Sequence, residues 1–203
     1  MKVDFKKSLD SYKAKHGEFR VLEVPSMQYL MVDGHGAPEA PDFAHAIEAV
    51  YPVAYTLKFM SKQQLDKDYV VPPMEGLWWA DDMSVYASGD KSQWDWTVLL
   101  MVPDWITDEM FEAAKQKVAS KKEVPVHLDK IRLETLAEGT CVQTLHIGSF
   151  DNEGPVLSEM HNTYIPEHGY KMTGRHHEIY MSDMRRVPED KLKTILRQPV
   201  EKI

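Results

Sequence analysis

The chain has 203 residues and a mass of 23.4 kDa, and its 43% hydrophobic and 28% charged residues exclude a disordered or low-complexity protein. Its 24 Lys and Arg residues against 32 Asp and Glu residues give a net charge of −8, which disfavours binding to nucleic acid. The single cysteine, the lack of an apolar N-terminal segment and the absence of any apolar run of ~18 residues predict a cytoplasmic protein that binds no membrane.

Strand and helix signals alternate through the first half of the chain. The periodicity predicts an amphipathic helix over residues 1–18, strands over 19–24 and 27–32, a helix over 42–59, strands over 74–79 and 94–102, and a helix over 107–120, with a polar connector over 80–92. Pro25 and Pro103 end strands, and Pro52 lies inside the long helix, where it would introduce a kink. Thr107, followed by two acidic residues, is typical of a helix N-cap.

The second half of the chain repeats this order of elements. A strand, a break and a strand over residues 133–147 are followed by a helix over 154–165 and a strand over 174–181. Each half reads as β-α-β-β, and two such units are expected to pair because neither can bury both faces of a sheet alone. We predict an α+β fold, a single domain over residues 1–203 built as a pseudo-symmetric tandem repeat. Its first unit covers residues 19–124 with an additional helix, and its second covers 125–203 with a C-terminal helix.

The C-terminal helix is predicted over residues 188–197. Pro188 lies in its first turn, acidic residues follow, and Lys193 and Arg197 lie near its end, which is the order that the helix dipole favours. The buried stripe of this helix is expected to consist of Leu192, Ile195 and Leu196.

The strand predicted over residues 174–181 carries the strongest signal for chemistry. Alternate side chains of a strand share a face, so His176, Glu178 and Tyr180 point the same way. A glutamate in an apolar strand is costly if it is buried without a partner, so we expect a hydrogen-bonding partner, a cationic ligand or a catalytic water beside it. A solvent-facing sheet surface is the alternative interpretation, because a carboxylate costs little there.

Aromatic residues of the first half are candidates for contact with a flat ligand. Strand alternation puts Trp78 and Trp79 on opposite faces, so one ring points inward whichever face is buried. Aromatic rings stack on planar ligands, but they also fill hydrophobic cores, and both interpretations stay open for each ring. The candidate ligand-binding residues are Trp78, Trp79, Tyr55, Glu75 and Trp96.

The sequence predicts neither a metal site nor a cofactor. His176 and His177 are adjacent, but their side chains diverge on a strand, and the other histidines lack ligand spacing. No Gly-x-Gly-x-x-Gly motif and no phosphate-binding glycine–lysine loop occurs. Cys141 lies in a predicted strand, where a buried apolar role is favoured over that of a nucleophile.

Residues 138–148, 174–183 and 191–200 of the second half, together with residues 72–79 of the first, resemble the GyrI-like small-molecule-binding family. The same domain forms the effector-binding half of certain multidrug-sensing regulators, and the resemblance covers essentially the whole chain. It implies two β-α-β-β units with a ligand cleft between them. It also implies that Glu178, which matches a glutamate on the family's last strand, lies at the floor of that cleft.

Within this family the chain is similar to stand-alone bacterial members described as cyclopropanoid cyclopropyl hydrolases. Those proteins open the strained ring of DNA-alkylating natural products, a detoxification that protects the cell. Only about 18 residues precede the first predicted strand, and this segment is too short for a DNA-binding helix-turn-helix domain. We therefore expect no transcription factor, and the oligomeric state stays open.

Two functional hypotheses follow. In the enzyme hypothesis, Glu178 deprotonates a water, Tyr180 or His176 donates to the developing oxyanion, and the aromatic candidates stack a planar substrate. In the alternative, the same residues bind or sequester planar cationic aromatic compounds without catalysis, through charge and cation–π contacts. Inhibition of DNA gyrase is implied only by the family's name and ranks last.

Overall fold

The computed structural model describes residues 2–80 and 91–203, which belong to two compact units. The first unit contains Met1–Ser8 and Met27–Leu136, and the second contains Leu9–Ser26 and Ala137–Ile203. The division therefore falls after residue 136 and not after the predicted residue 124. The segment before residue 27 joins the second unit because residues 20–24 pair with residues 139–143. Most of the predicted connector over residues 80–92 lies outside the described residues.

Both units combine many strands with few helices. The strands are β1 (Lys2–Val3), β2 (Arg20–Val24), β3 (Met27–His35), β4 (Asp68–Tyr69), β5 (Met74–Trp79), β6 (Asp95–Val102), β7 (Arg132–Leu136), β8 (Gly139–Ile147), β9 (Tyr170–Met172), β10 (His176–Tyr180) and β11 (Lys193–Lys202). The α-helices are α1 (Phe5–Ser8), α2 (Pro41–Leu65), α3 (Asp108–Ala119), α4 (Gly154–Glu159) and α5 (Ile165–Glu167), and a π-helical turn at Met160–Tyr164 joins α4 to α5. Among the described helices, none is long and apolar enough to cross a membrane.

The first unit is an antiparallel sheet on which α2 and α3 pack. Its strands lie in the order β5-β6-β3-β7, and β1 pairs in parallel with β4. The predicted long helix is confirmed with Pro52 in its interior, and it continues to Leu65. The predicted cap of α3 is also confirmed, because the Thr107 side chain accepts a hydrogen bond from the backbone N–H of Met110. Core residues from α2, α3, β3 and β6 include Leu57, Val118, Leu30 and Leu100.

The second unit has the same strand order. Its strands lie in the order β10-β11-β8-β2, all antiparallel, and β9 pairs with the C-terminal end of β11. Along the chain the first unit runs β3-α2-β5-β6, and the second runs β8, the α4–α5 segment, β10 and β11. The predicted α+β class with a repeated β-α-β-β order is therefore confirmed. The core of this unit contains Val142, Met160, Ile165, Leu196 and Val200.

The predicted C-terminal helix over residues 188–197 is wrong. A single 3-10 turn forms at Glu189–Lys191, and the chain then forms β11, which lies between β8 and β10. Residues 194–200 are all buried, so both faces of β11 are covered. Leu192, Ile195 and Leu196 are buried as predicted, but within or beside a strand. Because both faces of β11 are buried, it lacks the alternation of apolar and polar residues that distinguishes a strand from a short buried helix.

The predicted helix over residues 1–18 is also wrong, since only Phe5–Ser8 is α-helical. The backbone carbonyls that a longer helix would use internally accept side-chain hydrogen bonds within the second unit. Arg197 Nη2 donates to the carbonyl of Ser11 at 2.6 Å, and Gln143 Nε2 donates to the carbonyl of Lys13 at 2.9 Å. These tertiary contacts replace the helical hydrogen bonds that the local periodicity favours.

Candidate active site

The even-numbered residues of β10 converge on one carboxylate. The hydroxyl of Tyr180 donates to Oε2 of Glu178 at 2.7 Å, and Nε2 of His176 lies 3.4 Å from Oε1 of the same group. The Glu178 side chain is 14% exposed. The structure thus brings together the three residues predicted for catalysis, at a position much less exposed than a solvent-facing sheet surface.

Two local features hold β10 and its phenol in place. Gly174, just before the strand, has a φ of +60°, a left-handed conformation that a residue with a Cβ adopts only with strain. A Cβ at this position would also lie 3.2 Å from the ring of Pro199. The ring of Phe150 meets that of Tyr180 edge-on with centroids 5.7 Å apart. This contact restricts the phenol ring, so its hydroxyl stays directed at Glu178.

A second carboxyl group, Glu153, lies beside Glu178. It occupies the N-cap position of α4 and is only 5% exposed. Its carboxyl interacts with that of Glu178 and with the hydroxyl of Thr194, which lies opposite Tyr180 in the β10–β11 register. Burial raises the pKa of Glu153 well above its ordinary range, and the charge of Glu178 raises this pKa further. Glu153 is therefore a neutral carboxylic acid at neutral pH.

Two histidines complete this cluster. The rings of His161 and His176 meet edge-on with centroids 6.0 Å apart. Burial, and then the neighbouring His176, lowers the pKa of His161 to about 4, so this imidazole is neutral at neutral pH. Within the described residues, neither Nε2 of His161 nor Nδ1 of His176 has a hydrogen-bond partner. These nitrogens are available to a ligand or a water molecule.

The sequence analysis missed Glu153 and His161. Glu153 precedes Gly154 and Pro155, a pattern that indicates a helix start, where a carboxylate is ordinarily exposed. His161 lies in the helical segment that follows and has no ligand spacing to another histidine. Only tertiary packing on β10 brings Glu153 to Glu178 and His161 to His176, and no local pattern signals either contact.

The odd-numbered His177 points to the other face of β10 and belongs to a buried ionic cluster. Its Nδ1 pairs with Oε1 of Glu138 at 2.8 Å, and Arg197 Nη1 donates to Oε2 of Glu138 at 2.9 Å. Arg197 also donates through Nε to Gln143 at 3.1 Å. Burial alone would raise the pKa of Glu138, but the charges and hydrogen bonds of His177 and Arg197 lower it to about 2. This cluster is structural, since all its members are enclosed.

In the first unit, some of the aromatic residues predicted to bind a ligand lie in the core and others lie at the surface. Trp96 is fully buried, packs edge-on against Phe43 at 5.0 Å and leaves no ring surface for a ligand, so its predicted binding role is wrong. Trp78 is 5% exposed and also packs against Phe43. These two rings belong to the hydrophobic core of the first unit, together with Phe43 and Phe111.

The remaining candidates of the first unit differ in exposure. Glu75 is fully buried and exposes no surface to a ligand in this conformation, so its predicted binding role stays a prediction without support here. Trp79 is half-buried, and Tyr55 is 47% exposed and stacks on Tyr51 at 6.4 Å. Trp79 and Tyr55 thus keep the ring surface that stacking on a flat molecule requires. In the described ranges, no three His, Cys, Asp or Glu residues are grouped as a metal site.

Comparison with known proteins gives a family and close structural relatives. The model of the GyrI-like small molecule binding domain matches residues 17–201. An uncharacterized conserved protein from Listeria innocua is 40% identical, with a TM-score of 0.86 over 98% of this chain and 100% of that one. Two hydrolases from Listeria innocua are 38% and 37% identical, with TM-scores of 0.85 and 0.86 over 98% and 99% of this chain and 100% of theirs. No curated protein matched the sequence.

Proposed function

This chain belongs to the family of GyrI-like small molecule binding domains, and we propose that it hydrolyses cyclopropanoid, DNA-alkylating aromatic compounds. The observation that supports catalysis best is the Glu178 carboxylate, which is largely buried and oriented by a 2.7 Å hydrogen bond from Tyr180. The two similar structures described as hydrolases support the same reaction class. In the cell, such a reaction would destroy a DNA-damaging compound before it alkylates its target.

The proposed substrate has a cyclopropane ring fused to a conjugated dienone. Glu178 takes a proton from a water molecule, and the water oxygen forms a bond to the methylene carbon of the cyclopropane. The C–C bond of the three-membered ring breaks, and its electron pair makes the dienone aromatic. The carbonyl oxygen becomes a phenolate and then takes a proton, so the net reaction adds one water. Ring strain supplies much of the driving force, so one oriented base in a small site suffices.

The remaining groups of the cluster have roles consistent with their contacts. Tyr180 donates to Glu178, which fixes the direction of the basic oxygen and stabilises its charge. We therefore assign Tyr180 to orientation of the base, and His176 to hydrogen bonding of the developing oxyanion. The neutral imidazole of His161 adds a polar contact that carries no charge, which suits a neutral substrate.

The test is product analysis with the purified 203-residue protein and a cyclopropanoid alkylator. Mass spectrometry should show a product that is heavier by one water, and heavy-oxygen water should label it in a single turnover. Glu178→Gln keeps the shape and removes the base, so turnover should fall by roughly 10²- to 10⁴-fold while the ligand still binds. Glu201→Gln is the control, because Glu201 is 56% exposed and pairs with the surface residue Lys171. Equal turnover by wild type and Glu178→Gln would refute this role.

Non-catalytic binding of planar cationic compounds is the second candidate. The same Glu178 carboxylate favours it, because a largely buried negative charge attracts a cation strongly. Ligand charge separates the two functions. A binding protein should prefer cations, release them unchanged and lose their affinity in Glu178→Gln. A hydrolase should accept a neutral electrophile and release its hydrated product.

A further inference from the structure

Two carboxyl groups that lie side by side and are shielded from water cannot both be ionised at neutral pH. Their like charges repel, and each charge also loses solvation, so one of the two retains a proton. Glu153 and Glu178 form such a pair: their side chains are within hydrogen-bonding contact, Glu153 is 5% exposed, and the Glu178 side chain is 14% exposed. Which group holds the proton decides which can act as a base.

The groups around the pair favour a proton on Glu153. From β10, the Tyr180 hydroxyl donates to Glu178, which stabilises Glu178 as the carboxylate. His176 on the same strand also lies beside Glu178, at 3.4 Å. From the 3-10 turn at Phe150–Asn152, which precedes α4, the negative charge of Asp151 acts on Glu153 and disfavours its ionisation. From β11, the hydroxyl of Thr194 lowers the pKa of Glu153, but burial and the charge of Glu178 raise it by more.

We infer that Glu153 is a positioning residue that retains the proton of the pair, donates it in a hydrogen bond to Glu178, and so keeps Glu178 ionised as the base. This inference rests on the proposed function only for its catalytic consequence. Glu153 does not exchange its proton during the reaction: the proton of the attacking water goes to Glu178 and then to the product phenolate. The Oε1 atom of Glu153 has no hydrogen-bond partner among the described residues. This oxygen can accept a hydrogen bond from an ordered water molecule, while Glu153 acts on the reaction only through Glu178.

The first test is the pH dependence of turnover in Glu153→Gln and Glu153→Leu. Ionisation of Glu153 would place a second negative charge beside Glu178, so wild-type activity should fall at alkaline pH. Glutamine keeps an N–H donor and cannot ionise, so Glu153→Gln should retain turnover within about tenfold and lose the alkaline fall. Leucine removes the donor, so Glu178 loses a hydrogen bond to its carboxylate, and turnover in Glu153→Leu should fall roughly tenfold or more below that of Glu153→Gln.

The kinetic test can also refute the inference. An alkaline fall that persists in Glu153→Gln and disappears in Tyr180→Phe would assign that titration to the phenol and overturn the inference. Equal turnover in Glu153→Gln and Glu153→Leu would overturn it as well. Circular dichroism identifies a variant that fails to fold, and the nearly isosteric Glu153→Gln then decides the outcome.

The second test needs no turnover and uses infrared spectroscopy of the full chain at neutral pH. Wild type should show the carbonyl band of a buried, protonated carboxylic acid. The band should disappear in Glu153→Gln and persist in Glu178→Gln. The opposite pattern would place the proton on Glu178 and refute the inference. If the expected pattern appears but no cyclopropanoid compound is hydrolysed, the proposed function fails and the assignment of the proton stands.

Discussion

The buried ionic cluster of the second unit allows a stability prediction that can be worked from the structure. Glu138 is 4% exposed, and it contacts both His177 and the 1% exposed Arg197 at 2.8 and 2.9 Å. Breaking a buried ion pair by removing one partner typically costs ~3–5 kcal/mol, because the other charge stays buried without compensation. We consider Glu138→Gln, which keeps the size of the side chain and removes its charge.

The pKa of Glu138 gives an independent magnitude. A fall from the ordinary value of 4.5 to about 2 corresponds to ~3 kcal/mol of stability at neutral pH, at ~1.4 kcal/mol per pKa unit. A carboxyl with a lowered pKa stabilises the folded state fully above its unfolded pKa, and this contribution is lost as the pH falls toward the folded pKa. The two estimates agree, so Glu138→Gln should lower the free energy of unfolding by ~3 kcal/mol at pH 7.

The assay is urea unfolding of wild type and variant between about pH 7 and pH 2.5. The difference in unfolding free energy should be constant above about pH 5 and shrink progressively below the ordinary carboxyl pKa. Glu134→Gln is the control, since Glu134 pairs with Arg132 but is 54% exposed, and such a surface pair contributes at most ~1 kcal/mol. A loss below ~1 kcal/mol in Glu138→Gln, or a difference that does not change with pH, would show that the cluster contributes no net stabilisation.

Two further predictions concern the packing of single residues. A Cβ on Gly34 would lie 2.1 Å from the ring of Trp96, so Gly34→Ala should lower the free energy of unfolding by roughly 1–3 kcal/mol or more, as measured by urea unfolding. Gly154→Ala is the matched control, because nothing lies within 4 Å of a Cβ at that position. Equal effects of the two substitutions would contradict the packing argument. Burial raises the pKa of Cys141 to about 12, so an aromatic disulfide reagent at pH 8 should modify its thiol only after urea unfolds the chain, and rapid modification of the folded protein would contradict the buried position.

The elements that the sequence predicts correctly are those in which local pattern and tertiary environment agree. The 25-residue helix α2 has a long apolar stripe, and it is buried along that stripe. The segment β6 is rich in apolar and β-branched residues and ends before Pro103, which cannot donate to a sheet. On β10, period-two alternation places His176, Glu178 and Tyr180 on one face, and this required only the recognition of a strand.

The errors arise where the tertiary environment removes the periodic signal. The C-terminal segment carries a charge order suited to a helix dipole, yet Arg197 is fully buried in β11. A fully buried arginine is rare unless it is paired, and its partner Glu138 is 59 residues away in sequence. No window of a single sequence contains both charges. Because residues 194–200 are all buried, β11 also lacks the polar outward face that distinguishes a strand from a helix. The local sequence therefore gives no reason to prefer a strand.

The candidate site shows the same limit on a smaller scale. Glu178 is identifiable because a carboxylate is costly within an apolar strand, and this cost is visible in five consecutive residues. Glu153 is not identifiable, because at a helix start a carboxylate is ordinarily favourable and carries no cost to explain. Its function in our inference arises from Glu178 and Thr194, which belong to β10 and β11. The contacts of Glu153 with β10 and β11 arise from tertiary packing, so the sequence of no single element predicts them.

The two faces of β10 contact groups of opposite charge, and this difference gives one face a role in stability and the other a role in catalysis. On the odd face, two basic residues surround Glu138 and lower its pKa to about 2, so this carboxylate stays ionised at neutral pH and exchanges no proton. On the even face, Glu178 meets a second carboxyl group and no fixed cation among the residues that contact it, so this pair must hold a proton. A group can act as a base only where a proton can be accepted near neutral pH. The excess negative charge of the even face is unfavourable for folding, but it makes this face suited to catalysis. The paired charges of the odd face stabilise β10, the strand on which Glu178 lies.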